Sequence, residues 1–377
     1  MLNLLKTIQN NFLSLLLIGF YISEFYSKIL IYGFNDKSSI PLILKSLFFI
    51  YCLLKLISKT KQLFHIAAFL LLFIIGQLFL DPNFDKVVIA NLVKYIFFIV
   101  VIVYFNKQKL SSVTAGKAIN TFEVVIIFNS LLIIVGFLFN IDYFETYSGS
   151  RFGYNGFLIT SATSTYVYIT ALTYFMMKHE NSFIKNPKSL VVLISCFLIG
   201  TKSIYLVTLF YLIFYFIYYK DGIKKYFGLL GVLAVLVFLF YLVFYRSKLF
   251  QKIFDSEGLV TAFLSFRNNL LFEEMLPFLN ENWKGINYFF GGINEVSSRT
   301  QMGLFDLFYF FGAIGALYYA ILFITNYITF TLNKENLLFL ITLLLVICIS
   351  GNFFLNASVV IYIIILKEFF IFNQKSK

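Results

Sequence analysis

Twelve apolar stretches, most of them close to twenty residues long, run through this chain with short polar gaps between them. That pattern leaves few folds open. A helix needs about 20 apolar residues to cross the hydrocarbon core of a bilayer. Inside lipid the backbone must satisfy its own hydrogen bonds, so segments of this length cross as helices. The stretches lie at 12–34, 40–57, 62–80, 87–105, 119–141, 157–177, 188–200, 203–219, 226–245, 304–325, 337–355 and 356–372. The expected fold is an all-α polytopic membrane protein with about 12 transmembrane helices. A soluble core cannot absorb a chain that is 60% hydrophobic with a mean hydropathy of +0.87.

The lysines set an expected orientation. Cytoplasmic loops accumulate basic residues. With the N-terminus inside, the inner loops carry Lys59 and Lys61, Lys107 to Lys117, Lys178 to Lys188, Lys220 to Lys225, and Lys334, and the chain ends inside at Lys375 and Lys377. The turn from Asp81 to Asp85 then falls outside and is acidic. Both termini are expected to be cytoplasmic, in a bacterial inner membrane. The formal charge of +12 does not point to nucleic acid, because the lysines sit in short loops between apolar runs. Lys6 precedes the first stretch without a small-residue cleavage site, so that stretch is expected to stay as a span. Cys52, Cys196 and Cys348 lie inside apolar runs and are expected to pack rather than form a disulfide framework. Within the first span, Glu24 and Lys28 are spaced to pair across one helical turn.

Three parts follow: residues 1–245 with about nine spans, a large outer loop at 246–303, and the C-terminal spans at 304–377. In the loop, Leu259, Phe263, Phe266, Leu270 and Phe278 recur at near-helical spacing, with Ser265, Asn268, Asn269 and Glu273 between them. That predicts an amphipathic helix in the membrane interface, ended or kinked at Pro277.

The chain has only four arginines, Arg151, Arg246, Arg267 and Arg299, and all fall on the expected outer side. A guanidinium grips phosphate through two parallel hydrogen bonds, so this placement points to an anionic ligand outside. Arg151 sits in a Gly- and Ser-rich turn, from Tyr147 to Gly156, where the backbone can approach a phosphate or sugar. Lys202 lies at the Gly200–Ser203 tip, below the outer surface if the seventh span is short. Arg267 belongs to the amphipathic segment. Arg299 follows Gly291-Gly292 and Glu295, and precedes Asp306 at the mouth of a span. Each has a plainer reading: a snorkelling arginine, a headgroup-binding lysine, an arginine attracted to anionic lipid, and a carboxylate stabilising a helix start. Arg246 reads as a boundary residue. His65 and His179 are the only histidines, both expected near the inner face, and HExxH, Cys/His clusters and P-loops are absent. A histidine base or zinc chemistry outside is therefore not expected.

These patterns, in this order, resemble the O-antigen polymerase (Wzy-type) family within the O-antigen ligase/polymerase group. The resemblance rests on Arg151-x-Gly153 before a span, the Gly200-Thr201-Lys202-Ser203 tip, Arg267 in the large loop, and Gly291-Gly292 followed by Asp306 and Gly312-x-x-Gly315. Related ligases carry a histidine near the end of the large loop, and this chain has none there. The tip carries Lys202 where many relatives have arginine.

The resemblance implies a GT-C-like fold with a large periplasmic loop, and a metal-independent, cofactor-free glycosyltransferase. Such an enzyme moves a growing glycan from undecaprenyl pyrophosphate to the terminal sugar of a lipid-linked repeat unit. Arg151, Lys202, Arg267 and Arg299 would hold pyrophosphate and glycan, and Asp306 or Glu295 would take the acceptor proton. The expected partners are undecaprenyl-pyrophosphate-linked oligosaccharides, membrane lipids and a chain-length regulator protein. Two other functions compete: a lipid-linked oligosaccharide flippase or transporter, to which the intraspan charges Glu24, Lys28 and Lys94 would suit, and an O-antigen ligase.

Overall fold

The computed structural model describes residues 2–34, 36, 38–81, 84–108, 110–147, 151–241, 248–294 and 296–375. The described chain is helical, with a single isolated β-bridge, Glu145 to Tyr154. The twelve expected stretches all correspond to helices: α1 (Leu2–Phe34), α2 (Ile40–Ile57), α3 (Thr60–Leu80), α4 (Lys86–Lys107), α5 (Ser112–Phe139), α6 (Ser161–His179), α7 (Pro187–Leu198), α8 (Lys202–Tyr219), α9 (Gly222–Tyr241), α14 (Gly303–Tyr327), α15 (Lys334–Ile349) and α16 (Val359–Lys375). Between α9 and α14 lie α10 (Lys248–Leu264), α11 (Arg267–Asn269), α12 (Leu276–Asn282) and α13 (Gly285–Phe290).

Among the described residues, eight helices are long and apolar enough to cross a membrane: α1 from Asn11 onward, α2 to α5, α8, α9 and α14. This is a polytopic membrane architecture. The other four, α6, α7, α15 and α16, are shorter or more polar. Burial accounts for α6. Its Thr163, Ser164, Thr165, Thr170 and Thr173 are all buried in protein. All but the Thr163 hydroxyl bond carbonyls of the preceding turn, as Thr173 does to Ile169 at 2.9 Å, while Thr163 accepts from Asn356 at 2.7 Å. A helix wrapped by protein does not need an apolar outer face. The apolar α16 is equally enclosed, with Val359 to Phe370 buried throughout.

The bundle has two unlike ends. At one end, Glu123 accepts from Lys178, from Lys188 at 2.7 Å and from Tyr174. There too, Asn106 pairs with Asn326 at 3.0 Å, and Lys367 reaches the Asn326 carbonyl at 2.7 Å. The opposite end gathers the loops that follow α1, α3, α5, α7 and α15, together with the segment leading into α14. It is called the site end below.

Two expectations change. Glu24 and Lys28 do not pair with each other. Glu24 accepts from Lys45 of α2 at 3.4 Å and from Ser358, while Lys28 donates to Asn155 and to the Gly156 carbonyl at 2.7 Å. Each therefore ties α1 to a site-end loop. The single amphipathic helix is also broken. Gly258 interrupts α10, and the chain reverses hand at Ser265 (φ 54°) and Phe266 (φ 65°). A π-turn at Leu270–Met275 then leads into α12, whose first turn contains Pro277. Proline cannot donate to the carbonyl four residues back, and its ring crowds that carbonyl, so the preceding turn widens instead of breaking.

Candidate functional site

The Arg151 turn and the Lys202 tip meet as two strands of loop. Tyr154 donates its backbone N–H to Leu198 at 2.8 Å, and Thr146 Oγ1 donates to Ile199 at 2.9 Å. Gly200 adopts φ +75°, and a side chain there would run into the Phe152 carbonyl. Only glycine permits that approach. The two motifs are thereby brought together. The Arg151 guanidinium stacks 3.9 Å above the Tyr147 ring, which holds its plane.

Arg267 arrives from the other side. The left-handed pair Ser265-Phe266 turns the chain sharply before it. Phe266 donates its backbone N–H to Thr261 at 3.2 Å, and Asn268 Nδ2 donates to Thr261 Oγ1 at 2.7 Å. Arg267 Nη1 reaches the Leu264 carbonyl at 3.2 Å, while its Nε is buried without a hydrogen-bond partner. Burial pulls this guanidinium below its ordinary pKa, and the nearby Arg151 adds to the effect. Lys202 donates to the Ala262 carbonyl of α10, linking the tip to the same segment.

Arg151, Lys202 and Arg267 line one cavity of about 250 Å³, with Thr165, Ser350 and Asn352 among its other walls. No carboxylate is among its described lining residues. The three cations come from three separate segments, a loop and the starts of α8 and α11, and Lys202 lies close enough to both arginines to be repelled by them. Such an arrangement is suited to an anion with several acceptor oxygens.

Arg299 is not in this group. It donates to Asn352 Oδ1 at 2.9 Å and lines a second cavity of about 600 Å³, with Glu24, Lys45 and Lys94. Ser161, Ala162 and Asn352 face both cavities and form the partition. Asp306 lines neither one. It is buried at the start of α14, where Oδ1 accepts from Thr300 at 3.0 Å and Oδ2 has no hydrogen-bond partner. Glu295 and Arg246 lie outside the described residues.

Gly291-Gly292 lies where the backbones of α3, α13 and α14 approach one another. Gly312 breaks α14 with φ +61°, and a side chain there would lie 2.5 Å from the Gly291 nitrogen. Gly292 N–H bonds the Phe310 carbonyl at 3.2 Å, and Asn287 bonds the Gly76 carbonyl at 2.8 Å. The glycines clamp α13 between α3 and α14, which fixes the path on to Arg299.

Sequence reading missed Lys45. Its signal was a lysine five residues inside the stretch at 40–57, overlooked because one charge does not disqualify a span. Neither a protein-family model, nor a curated protein, nor a solved structure matches the chain.

Proposed function

We propose that this protein is a polysaccharide polymerase of the O-antigen type. In this reading it crosses a bacterial inner membrane twelve times with both termini cytoplasmic and a GT-C-like architecture. Its site end faces the periplasm. There it transfers a growing glycan from undecaprenyl pyrophosphate to the terminal sugar of a lipid-linked repeat unit. The supporting observation is the cavity bounded by Arg151, Lys202 and Arg267, with no carboxylate among its described lining residues.

The chemistry matches that cavity. The bond that breaks joins the anomeric carbon of the donor glycan to a pyrophosphate oxygen. The bond that forms joins an acceptor hydroxyl oxygen to that carbon. Negative charge builds on the departing pyrophosphate, and a single fixed donor aimed at such charge can contribute roughly 3–4 kcal/mol. The donor is already activated, and with three cations at the leaving group the proposed reaction calls on no metal. The acceptor proton passes to a carboxylate. Asp306 and Glu295 are the candidates for this role; Asp306 lines neither cavity, and Glu295 lies outside the described residues.

A transporter would need mobile charges near the midplane. Glu24 and Lys28 are instead held by hydrogen bonds to site-end loops, which favours the enzyme reading.

The test is the surface-glycan gel profile of a strain whose own gene is replaced by Arg151→Ala or Arg267→Ala. Each variant should reach the membrane at normal abundance. Each should lower polymer formation roughly 100-fold, leaving lipid that carries one repeat unit. Persistent long chains in both variants would sink the reading. Complete loss of surface glycan would instead indicate transport or ligation.

A further inference from the structure

The larger cavity has its own cations, from elements unrelated to the first. Lys45 comes from α2, Lys94 from α4 and Arg299 from the segment before α14. Lys94 is close enough to Lys45 and Arg299 to be repelled by both. Compensation is incomplete. Glu24 offsets Lys45 at 3.4 Å, and Asp306 lies behind Arg299 and offsets part of its charge. No carboxylate lies within ion-pair distance of Lys94 among the described residues. Gathering three cations around one cavity is unfavourable without an anion between them.

The rest of the lining mixes polar side chains, among them Ser27, Ser46, Asn91 and Thr160, with apolar ones. Of the apolar ones, Ile31, Leu42 and Val93 are exposed. They come from α1, α2 and α4, helices long and apolar enough to span a membrane. A charged recess with an exposed apolar flank on such helices fits a lipid with a phosphorylated headgroup, whose tail stays in the bilayer. A soluble anion would not need that flank.

We propose that this cavity binds the diphosphate headgroup of a second polyprenyl-linked molecule, held by Lys45, Lys94 and Arg299. Resting on the polymerase reading, that molecule is the acceptor, while the first cavity holds the donor. The shared wall of Ser161, Ala162 and Asn352 sets the two headgroups side by side, and Arg299 bonded to Asn352 spans the partition.

Binding stoichiometry tests this without relying on activity. The full-length protein is placed in phosphatidylcholine nanodiscs with undecaprenyl diphosphate, and bound lipids per protein are counted by native mass spectrometry. Undecaprenol in place of the diphosphate lipid, and inorganic pyrophosphate alone, serve as the comparison probes. The wild type should hold two diphosphate lipids and no specific undecaprenol. Lys94→Gln should weaken one site about tenfold or more and leave the other unchanged. Lys94→Arg should restore two, and Arg267→Ala should weaken the other site instead. The proposal is overturned if the wild type holds one lipid, or if Lys94→Gln still holds two with unchanged affinity. It is also overturned if inorganic pyrophosphate fills the second site as tightly as the lipid does, which would mark a free-anion site. Failure here leaves the polymerase reading standing wherever Arg267→Ala still gives single-unit glycolipid. Failure of that glycan result leaves a two-lipid stoichiometry intact.

Discussion

Arg267 shows what one residue's surroundings do to its chemistry. Its Nε is buried with no hydrogen-bond partner, beside a cavity with no acid among its described lining residues. Leaving a buried donor unsatisfied costs about 1–3 kcal/mol, and an incoming phosphate oxygen would recover that cost. Residue identity was legible in the sequence here, because arginine is rare in this chain and its four positions stood out. Grouping was not legible. Arg299 is nearest to Asp306 in sequence, yet it lines a different cavity from the other cations, because partners across the fold are invisible to spacing along the chain. Asp306 illustrates the same limit. A carboxylate at the mouth of a span suggested a base, and the fold buries it, with Oδ1 accepting from Thr300 and Oδ2 without a hydrogen-bond partner. Asp306→Asn keeps an acceptor for Thr300, so single units on a glycan gel from this variant would mark Asp306 as the base. Multi-unit chains from Asp306→Asn together with single units from Glu295→Gln would give the role to Glu295.

At the scale of elements, sequence reading worked best for helices that face lipid. Their apolar length is imposed by the bilayer, so the boundaries of α2 and α3 fall within two residues of the expected ones. It did worst in the segment between α9 and α14. Apolar spacing there suggested one helix, while the fold needed an abrupt turn at Ser265-Phe266 that no glycine or proline announces. Non-glycine residues in the left-handed region cost roughly 1–2 kcal/mol each, and two in succession mark a place where geometry outranks propensity. The turn's purpose can be separated from the charge it delivers. Phe266→Gly accepts φ +65° and should retain polymerisation. Phe266→Pro cannot adopt that angle and should give single-unit lipid as Arg267→Ala does, with Arg267 still present.

At the scale of the whole molecule, binding and cohesion are kept at opposite ends. The Glu123 cluster with Lys178, Lys188 and Tyr174 ties α5, α6 and α7 together far from either cavity. Glu123→Gln should lower the thermal midpoint of the detergent-solubilised protein, since hydrogen bonds to a charged group contribute about 1.5–3 kcal/mol. It should leave the glycan profile unchanged. The enclosed helix α16 has a different consequence, in time rather than in space. It packs against α1, α4, α5 and α6, all of which leave the ribosome before it. Until it arrives, the faces of α1, α4, α5 and α6 that it covers lack that neighbour, so the nascent bundle must hold open a lengthwise slot. A chain stopped after Asn356 still carries Arg151, Lys202, Arg267 and Arg299, yet nothing fills that slot. Such a chain should be cleared by membrane proteases, so its steady-state level on an immunoblot falls well below that of the full-length protein. Maturation of both pockets thus waits on the final insertion event.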